Sequence, residues 1–394
     1  MSDKKIFKSL TTLQATANGK PSEPEYLPIL HGKATDLLAG MNSKAGELDN
    51  ITGSLTITND ALKAEIHNFN GLVGTLGVST HKLLLTAIGR FVENNHVGSQ
   101  ARELRETEVK IPVDTYALKC GYKVDQKPTA TKEEEKKEAT RAKNALKNAK
   151  RKITKDLEIL FSTSLSWKEN IRKQETDFYD VRLIEAKGIK SGCINIKFTQ
   201  TFAEYLLLLP VGHYFTALLG VDERSTNAYI LGYHMINHFL MDSNQAIGTA
   251  QFLKVKTLLS YTDLPDIKTV RKDRKSWQER IKEPLEQALD VLYKSGVLAD
   301  LEEDQVVDED FLDQEAEITE GWRYCKNKKD NHQKIPKEEL ITLSYEEWAE
   351  TLIYFILKSP PDQTERLQRK EEEKRKRQKK TRQNTTKKGG NNNG

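Results

Sequence analysis

The segment RAKNALKNAKRKITKDLEIL, Arg141 to Leu160, places the tightest limit on what this chain folds into. Its first fifteen residues carry seven lysines and arginines and no acid. Ala142, Ala145, Leu146, Ala149, Ile153, Leu157 and Leu160 recur at helical spacing and make one apolar stripe. Lys143, Lys147, Lys150, Arg151 and Thr154 point elsewhere on the same helix. Like charges one turn apart repel, so the helix is expected only where something offsets the crowding. The apolar stripe is expected to dock on a protein core while the opposite face meets a polyanion. The major groove of duplex DNA is wide enough to admit a helix, and counterion release from neutralised phosphates favours binding. Asn144 and Asn148 add amides able to make paired hydrogen bonds to adenine. The competing reading is a solvated basic face with no partner.

The flanking sequence points to a small DNA-binding fold. In STHKLLLTAIGRFVENN, Ser79 or Thr80 is placed to cap a helix whose apolar face is Leu83, Leu84, Ile88 and Phe91. EVKIPVDTYALKCGY reads as a short strand followed by a short helix opened by Pro112 and Asp114. After the basic helix, STSLSWKE is a strand candidate. DFYDVRLIEAKGIKSGCINIKFTQTF reads as two strands joined by a turn between Gly188 and Gly192. Helix, strand, short helix, long basic helix and β-ribbon are the element order of a winged helix. Lys187, Lys190 and Lys197 of the ribbon would add contacts to a nucleic-acid backbone; alternatively they protect an exposed sheet edge.

Farther on, TFAEYLLLLPVGHYFTALLG and TNAYILGYHMINHFLMD read as apolar helices separated by VDERS. LKVKTLLSYT and the long stretch from Leu264 to Leu298 continue the helical pattern. In that stretch Trp277, Ile281, Leu285, Leu289 and Leu292 share a face, and Gly296 is a natural stop. Arg271, Lys272, Arg274 and Lys275 begin a second basic cluster, and Trp277 beside it reads as core rather than as a base-stacking platform. EGWRYCK is expected to supply strands of a second hairpin, and YEEWAETLIYFILKSPPD a helix ending at Pro360 and Pro361.

Charge is segregated along the chain although the net charge is only +4. Glu365 to Lys388 hold twelve bases and four acids, an excess of +8, so the remainder sums to −4. Asp300 to Glu320 hold eleven acids and no base. The expected division is an N-terminal arm at 1–70, winged-helix domains at 71–203 and 204–360, and a disordered basic tail at 361–394. The expected fold class is α+β, mainly α with β-hairpin wings: two winged-helix DNA-binding domains with a flexible N-terminal arm and a basic C-terminal tail.

Signs of catalysis are weak. His234 and His238 lie one turn apart without the intervening acid of a zinc-protease helix, and apolar neighbours favour core packing. Tyr229 and Tyr233 lack a metal-ligand pair that would suggest a DNA-attacking tyrosine. A GxxxxGK[ST] phosphate loop is absent from the sequence. Cys120, Cys193 and Cys325 are too far apart to suggest a zinc cluster and read as reduced, buried residues. No apolar run approaches a membrane span, and MSDKKIFKSLTTLQ lacks the core of a secretory signal. The expectation is a non-enzymatic binding protein with no catalytic residue, metal or cofactor, cytoplasmic, bacterial and DNA-associated.

KLLLTAIGRF, VKIPVDTYA, AKNALKNAKRKITKDLEIL with its ribbon, YLLLLPVGHYFTALLG, and RSTNAYILGYHMINHF together resemble plasmid replication initiators built from two winged-helix domains. The resemblance spans approximately residues 75 to 357. It implies binding to repeated origin sequences in double-stranded DNA, opening of nearby A·T-rich duplex and recruitment of host replication proteins. It also implies a homodimer that represses and a monomer that initiates. A winged-helix transcriptional regulator or partition factor is the alternative, since both need the same groove-reading surface.

Overall fold

A computed structural model describes residues 26–30, 47–49, 54–59, 62–66, 77–96, 103–122, 132–171, 174–209, 211–241, 250–301, 321–326 and 335–357. The expected acidic segment, apart from its first two residues, and the whole basic tail lie outside these.

The chain begins with strands β1 (Tyr26–Leu30), β2 (Glu47–Asp49), β3 (Ser54–Asn59) and β4 (Leu62–Ile66). Helix α1 (Val78–Asn95), β5 (Glu108–Pro112), α2 (Val113–Lys119) and the 30-residue α3 (Lys132–Phe161) follow. Then come β6 (Thr163–Ile171), β7 (Gln174–Arg182), β8 (Ile184–Lys190), β9 (Cys193–Phe198), α4 (Gln200–Leu208), β10 (Val211–Phe215) and α5 (Thr226–Met241). The chain continues with β11 (Ala250–Lys254), α6 (Val255–Ser260), α7 (Ile267–Lys272), α8 (Glu283–Lys294), β12 (Trp322–Cys325), α9 (Lys337–Thr342), α10 (Tyr345–Glu350) and β13 (Leu352–Ile356). Helices and small antiparallel sheets together make an α+β protein.

Two compact units result, one from residues 1–236 and 256–297, the other from 237–255 and 298–394. In the first, α1 is buried nearly all round, with Leu83, Leu84, Ile88 and Phe91 at 0–1% exposure, the pattern of a central helix. Its first turn departs from expectation. Gly77 takes the N-cap position, and Ser79 and Thr80 lie inside the helix instead of capping it.

Rings link the elements around α1. Phe91 meets Phe198 of β9 edge-on at 5.6 Å, and Phe198 meets Phe202 of α4 at 5.7 Å. Tyr205 continues the chain to Trp167, which stacks on Phe178 at 4.3 Å. This aromatic seam ties α4 to the sheets before it, so the first unit runs through the expected 203/204 boundary.

The expected N-terminal arm also contributes to the fold. β2, β3, β4, β6 and β7 form one antiparallel sheet, with Ala64 opposite Leu165. A second sheet has the order β5-β9-β8. Its β8–β9 turn is the two residues Ser191 and Gly192, both at positive φ (53° and 75°), which matches the twist of a tight hairpin. The turn is thus shorter than the Gly188 to Gly192 span expected, because Gly188 pairs with Asn195 inside the ladder.

One apolar run that reads as a continuous helix divides at a proline. Leu209 precedes Pro210 and is extended (φ −77°, ψ 151°), the conformation that a following proline imposes. α4 therefore stops, and Val211–Phe215 pairs with β1. The α8 run instead keeps its expected face: Ile281, Leu285, Leu289 and Leu292 are all buried. One π-helical turn at Gln278–Lys282 precedes Pro284, whose missing N–H and ring disfavour regular α geometry there. Gly296 ends the run at φ 74°.

Gly232 of α5 marks a close helix contact. A Cβ there would lie 2.6 Å from a Leu292 methyl and 2.7 Å from a Leu218 methyl. Both leucines are fully buried, so they have little room to yield. Gly232→Val should lower unfolding stability by about 1–3 kcal/mol through overpacking, read as a shift in urea midpoint at constant m-value.

The second unit is a three-stranded antiparallel sheet, β11-β13-β12, with two short helices. Leu301, Cys325, Leu352 and Tyr354 form its core, and the Trp348 indole donates to the Tyr324 hydroxyl at 3.1 Å. The helix expected to run to Pro360 is only six residues long. Ser344 and Glu347 form a reciprocal capping box that starts α10. The run Leu-Ile-Tyr-Phe-Ile then becomes the central strand, as branched and aromatic side chains favour.

Candidate nucleic-acid interface

Helix α3 carries the candidate surface. Its inward side follows the expected stripe: Ala149, Ile153, Leu157 and Leu160 are buried, and Ala142, Ala145 and Leu146 half-buried. Lys143, Asn144, Lys147, Asn148, Lys150, Arg151 and Thr154 are all exposed, together with Arg141 and Lys155. The structure brings these residues to one face. Thr154 is partly committed, because its hydroxyl donates to the Lys150 carbonyl at 2.9 Å.

Two acids lie between Arg141 and Phe161, both beyond Lys155, one turned inward and one ion-paired at the surface. Asp156 turns inward and is 2% exposed. Its Oδ1 accepts from the Ser79 hydroxyl at 2.8 Å and from the Thr80 hydroxyl at 2.9 Å. Burial pushes the Asp156 carboxyl above its ordinary value, opposed by those two hydroxyls and by Lys152 and Lys155. Glu158 is paired with Lys187 of β8. What remains outside, from Arg141 to Lys155, is a row without negative charge.

Lys152 separates from the other cations. It forms an ion pair with Glu223, and its ammonium sits over the Tyr122 ring at 4.8 Å. The Tyr122 hydroxyl also donates to Glu223. Desolvation lowers the Lys152 pKa. Nearby, Lys82 of α1 is fully buried and donates to the Val221 carbonyl at 2.5 Å. Burial lowers its pKa from 10.5 to about 8.

The other expected contact residues divide. Lys190 is exposed at the end of the β8–β9 hairpin. Lys187 is not available as a free backbone contact: only 15% of its side chain is exposed, with its ammonium on Glu158 and 4.8 Å from the Phe161 ring centre. The hairpin packs against the end of α3, and Lys187 serves that packing. Lys197 pairs with Glu185 at 2.5 Å. Arg271, Lys272, Arg274 and Lys275 are exposed around the end of α7, where Arg274 turns the chain at φ 54° and Lys275 pairs with Asp273 at 3.5 Å. They belong to the same compact unit as α3, not to a separate second domain. Trp277 is half-buried.

Asp156, Lys152 and Glu223 were missed by sequence reasoning. Asp156 did leave a signal, since it continues the inward spacing Ala149, Ile153, Asp156, Leu160 with a charge in an apolar position. Glu223 left none, being a loop residue 71 positions from its partner.

Of the residues considered for catalysis, Tyr229, Tyr233 and His234 have side chains among the described residues. The Tyr229 hydroxyl is 2.8 Å from His81 Nδ1, and Tyr233 is fully buried. His234 stacks on Tyr261 at 5.3 Å, and burial lowers its pKa. The His238 side chain lies outside the described residues. Cys120 and Cys325 are buried and Cys193 half-buried, all as free thiols. Among the described residues no cluster of three or more His, Cys, Asp or Glu side chains is placed to hold a metal, and no helix is long and apolar enough to cross a membrane. No protein-family model matches the chain, and no curated protein matches it.

Proposed function

We propose that this chain binds double-stranded DNA sequence-specifically and initiates replication of a plasmid or mobile element. The acid-free cationic row on α3, backed by a face buried in its own unit, is the observation that carries the reading. On this reading α3 lies in the major groove. Lys143, Lys147, Lys150 and Arg151 neutralise phosphates, and Asn144 and Asn148 read bases.

A winged-helix identity for this part of the chain is supported by element order. α1, β5, α2 and α3 are followed by β8–β9, whose sheet order β5-β9-β8 joins the hairpin to the strand between the first two helices. The β6–β7 pair is inserted between them. Lys190 at the hairpin end would reach the adjacent backbone, and the exposed Arg271, Lys272, Arg274 and Lys275 would make further phosphate contacts. Host replication proteins and a second copy of the chain are the protein partners this role calls for.

Footprinting on the DNA that flanks the gene tests the proposal. The expected result is protection of regularly spaced direct repeats. A single protected palindrome would replace the initiator with a transcriptional repressor, and absence of protection would remove both. Metal-dependent cleavage of the protected DNA in magnesium or manganese would show a nicking enzyme instead.

A further inference from the structure

The inward face of α3 contains two polar ties among its aliphatic contacts. Asp156 is held by the Ser79 and Thr80 hydroxyls in the first turn of α1. One turn earlier, Lys152 is held by Glu223 in the loop before α5, and the Tyr122 hydroxyl after α2 fixes the same carboxylate. We propose that Asp156 and the Lys152–Glu223 pair are positioning residues that set the rotation of α3 about its own axis, and so aim its base-reading row. This rests on the DNA-binding reading above and adds the residues that give it specificity.

Alanine, leucine and isoleucine contacts are non-directional and tolerate small rotations, whereas buried hydrogen bonds do not. A helix has an outer radius of about 5 Å, so a turn of about 20° moves a surface side chain by about 2 Å. That displacement breaks a paired hydrogen bond to a base edge yet leaves an ammonium near a phosphate. One tie would act as a pivot. Two ties, to different neighbours and about 6 Å apart along the axis, leave a single rotation in which both are made. Tyr122 strengthens the second by engaging both members of the pair.

The ties also account for a buried charge at position 156. A leucine at 156 would suit the apolar spacing, but it would leave the Ser79 and Thr80 hydroxyls without their acceptor. Retaining a carboxylate whose pKa burial has raised is consistent with selection for orientation rather than for packing alone.

The experiment compares Glu223→Gln, Asp156→Ala and their combination with the unsubstituted protein, after urea titration has established the conditions in which each is folded. Affinity is measured for the footprinted repeat and for random duplex. Loss of aim should lower the specific-to-random ratio by about tenfold or more while random binding stays within about twofold, because every exposed cation remains. Parallel loss on both duplexes, or an unchanged ratio, would overturn the proposal. Glu223→Gln keeps the test valid should Asp156→Ala fail to fold, since Glu223 is in a surface loop.

A second measurement needs no DNA. Ala149→Cys places a thiol on the buried face, where Ala149 is 2% exposed, and its alkylation is followed by peptide mass with and without Glu223→Gln. Faster alkylation, by about tenfold, is expected once a tie is lost and the buried face opens more often. An unchanged rate means the pair does not fix the helix and overturns the proposal. If the unsubstituted protein shows no preference for any duplex, the functional reading fails, while this rate still decides whether the ties set the rotation.

Discussion

Raising salt from about 50 mM to about 200 mM should weaken binding to duplex DNA by about 10³-fold. The magnitude follows from the exposed cations of α3. Arg141, Lys143, Lys147, Lys150, Arg151 and Lys155 are six positive side chains on the outer row, and each phosphate neutralised contributes about −0.9 to the slope of log affinity on log salt. Full engagement gives a slope of about −5 from this helix alone. Lys152 is excluded because Glu223 already holds it. Changing Lys147 and Arg151 together to Ala should reduce the slope by about 2. It should also weaken random and specific duplexes alike, unlike loss of a positioning residue. Both side chains are exposed, so the fold should persist with an unchanged urea midpoint. A slope that the double variant leaves unaltered would move the interface away from α3.

The second large effect concerns stability. Unfolded Lys82 keeps its proton up to about 10.5, but burial lowers the folded value to about 8. Between these values the folded protein binds fewer protons, so the residue's contribution to stability rises with pH across that interval and is lost as pH falls through 8. The expected change is about 3 kcal/mol. Cys120 works in the opposite sense: burial raises its thiol from 9.0 to about 11, so its contribution is complete below 9 and declines toward 11. The comparison must therefore be made against Lys82→Met. Urea unfolding at pH 7.5 and 10.5 should show the unsubstituted protein gaining about 3 kcal/mol relative to that variant. Equal pH trends would mean that the Lys82 ammonium is not desolvated in the folded protein.

The sequence made the basic helix legible because a long amphipathic helix is a local pattern. Its buried stripe, the α8 face and the stop at Gly296 could all be found from residue spacing. Apolar runs were less informative where both faces are buried. The two mistaken helix extensions, through Val211–Phe215 and through Leu352–Ile356, are strands because each has an antiparallel partner distant in sequence, β1 for one and β11 and β12 for the other. Residues 54–66 were placed in the expected N-terminal arm for the same reason: β4 is completed by β6, roughly a hundred residues away.

From its order of residues alone, this chain determined which side of Arg141–Leu160 is greasy and which is cationic, since a 3.6-residue period assigns faces without any neighbour. The tertiary structure decided which charges stay free. Lys152 and Lys187 are indistinguishable by composition from Lys147, yet folding sets a carboxylate beside each of the first two and, among the described residues, pairs none with the third in the row that remains exposed. Carboxylate and ammonium meet across 71 residues in one case and 29 in the other, and only a folded chain brings such groups within the few ångströms over which their attraction outweighs that of water.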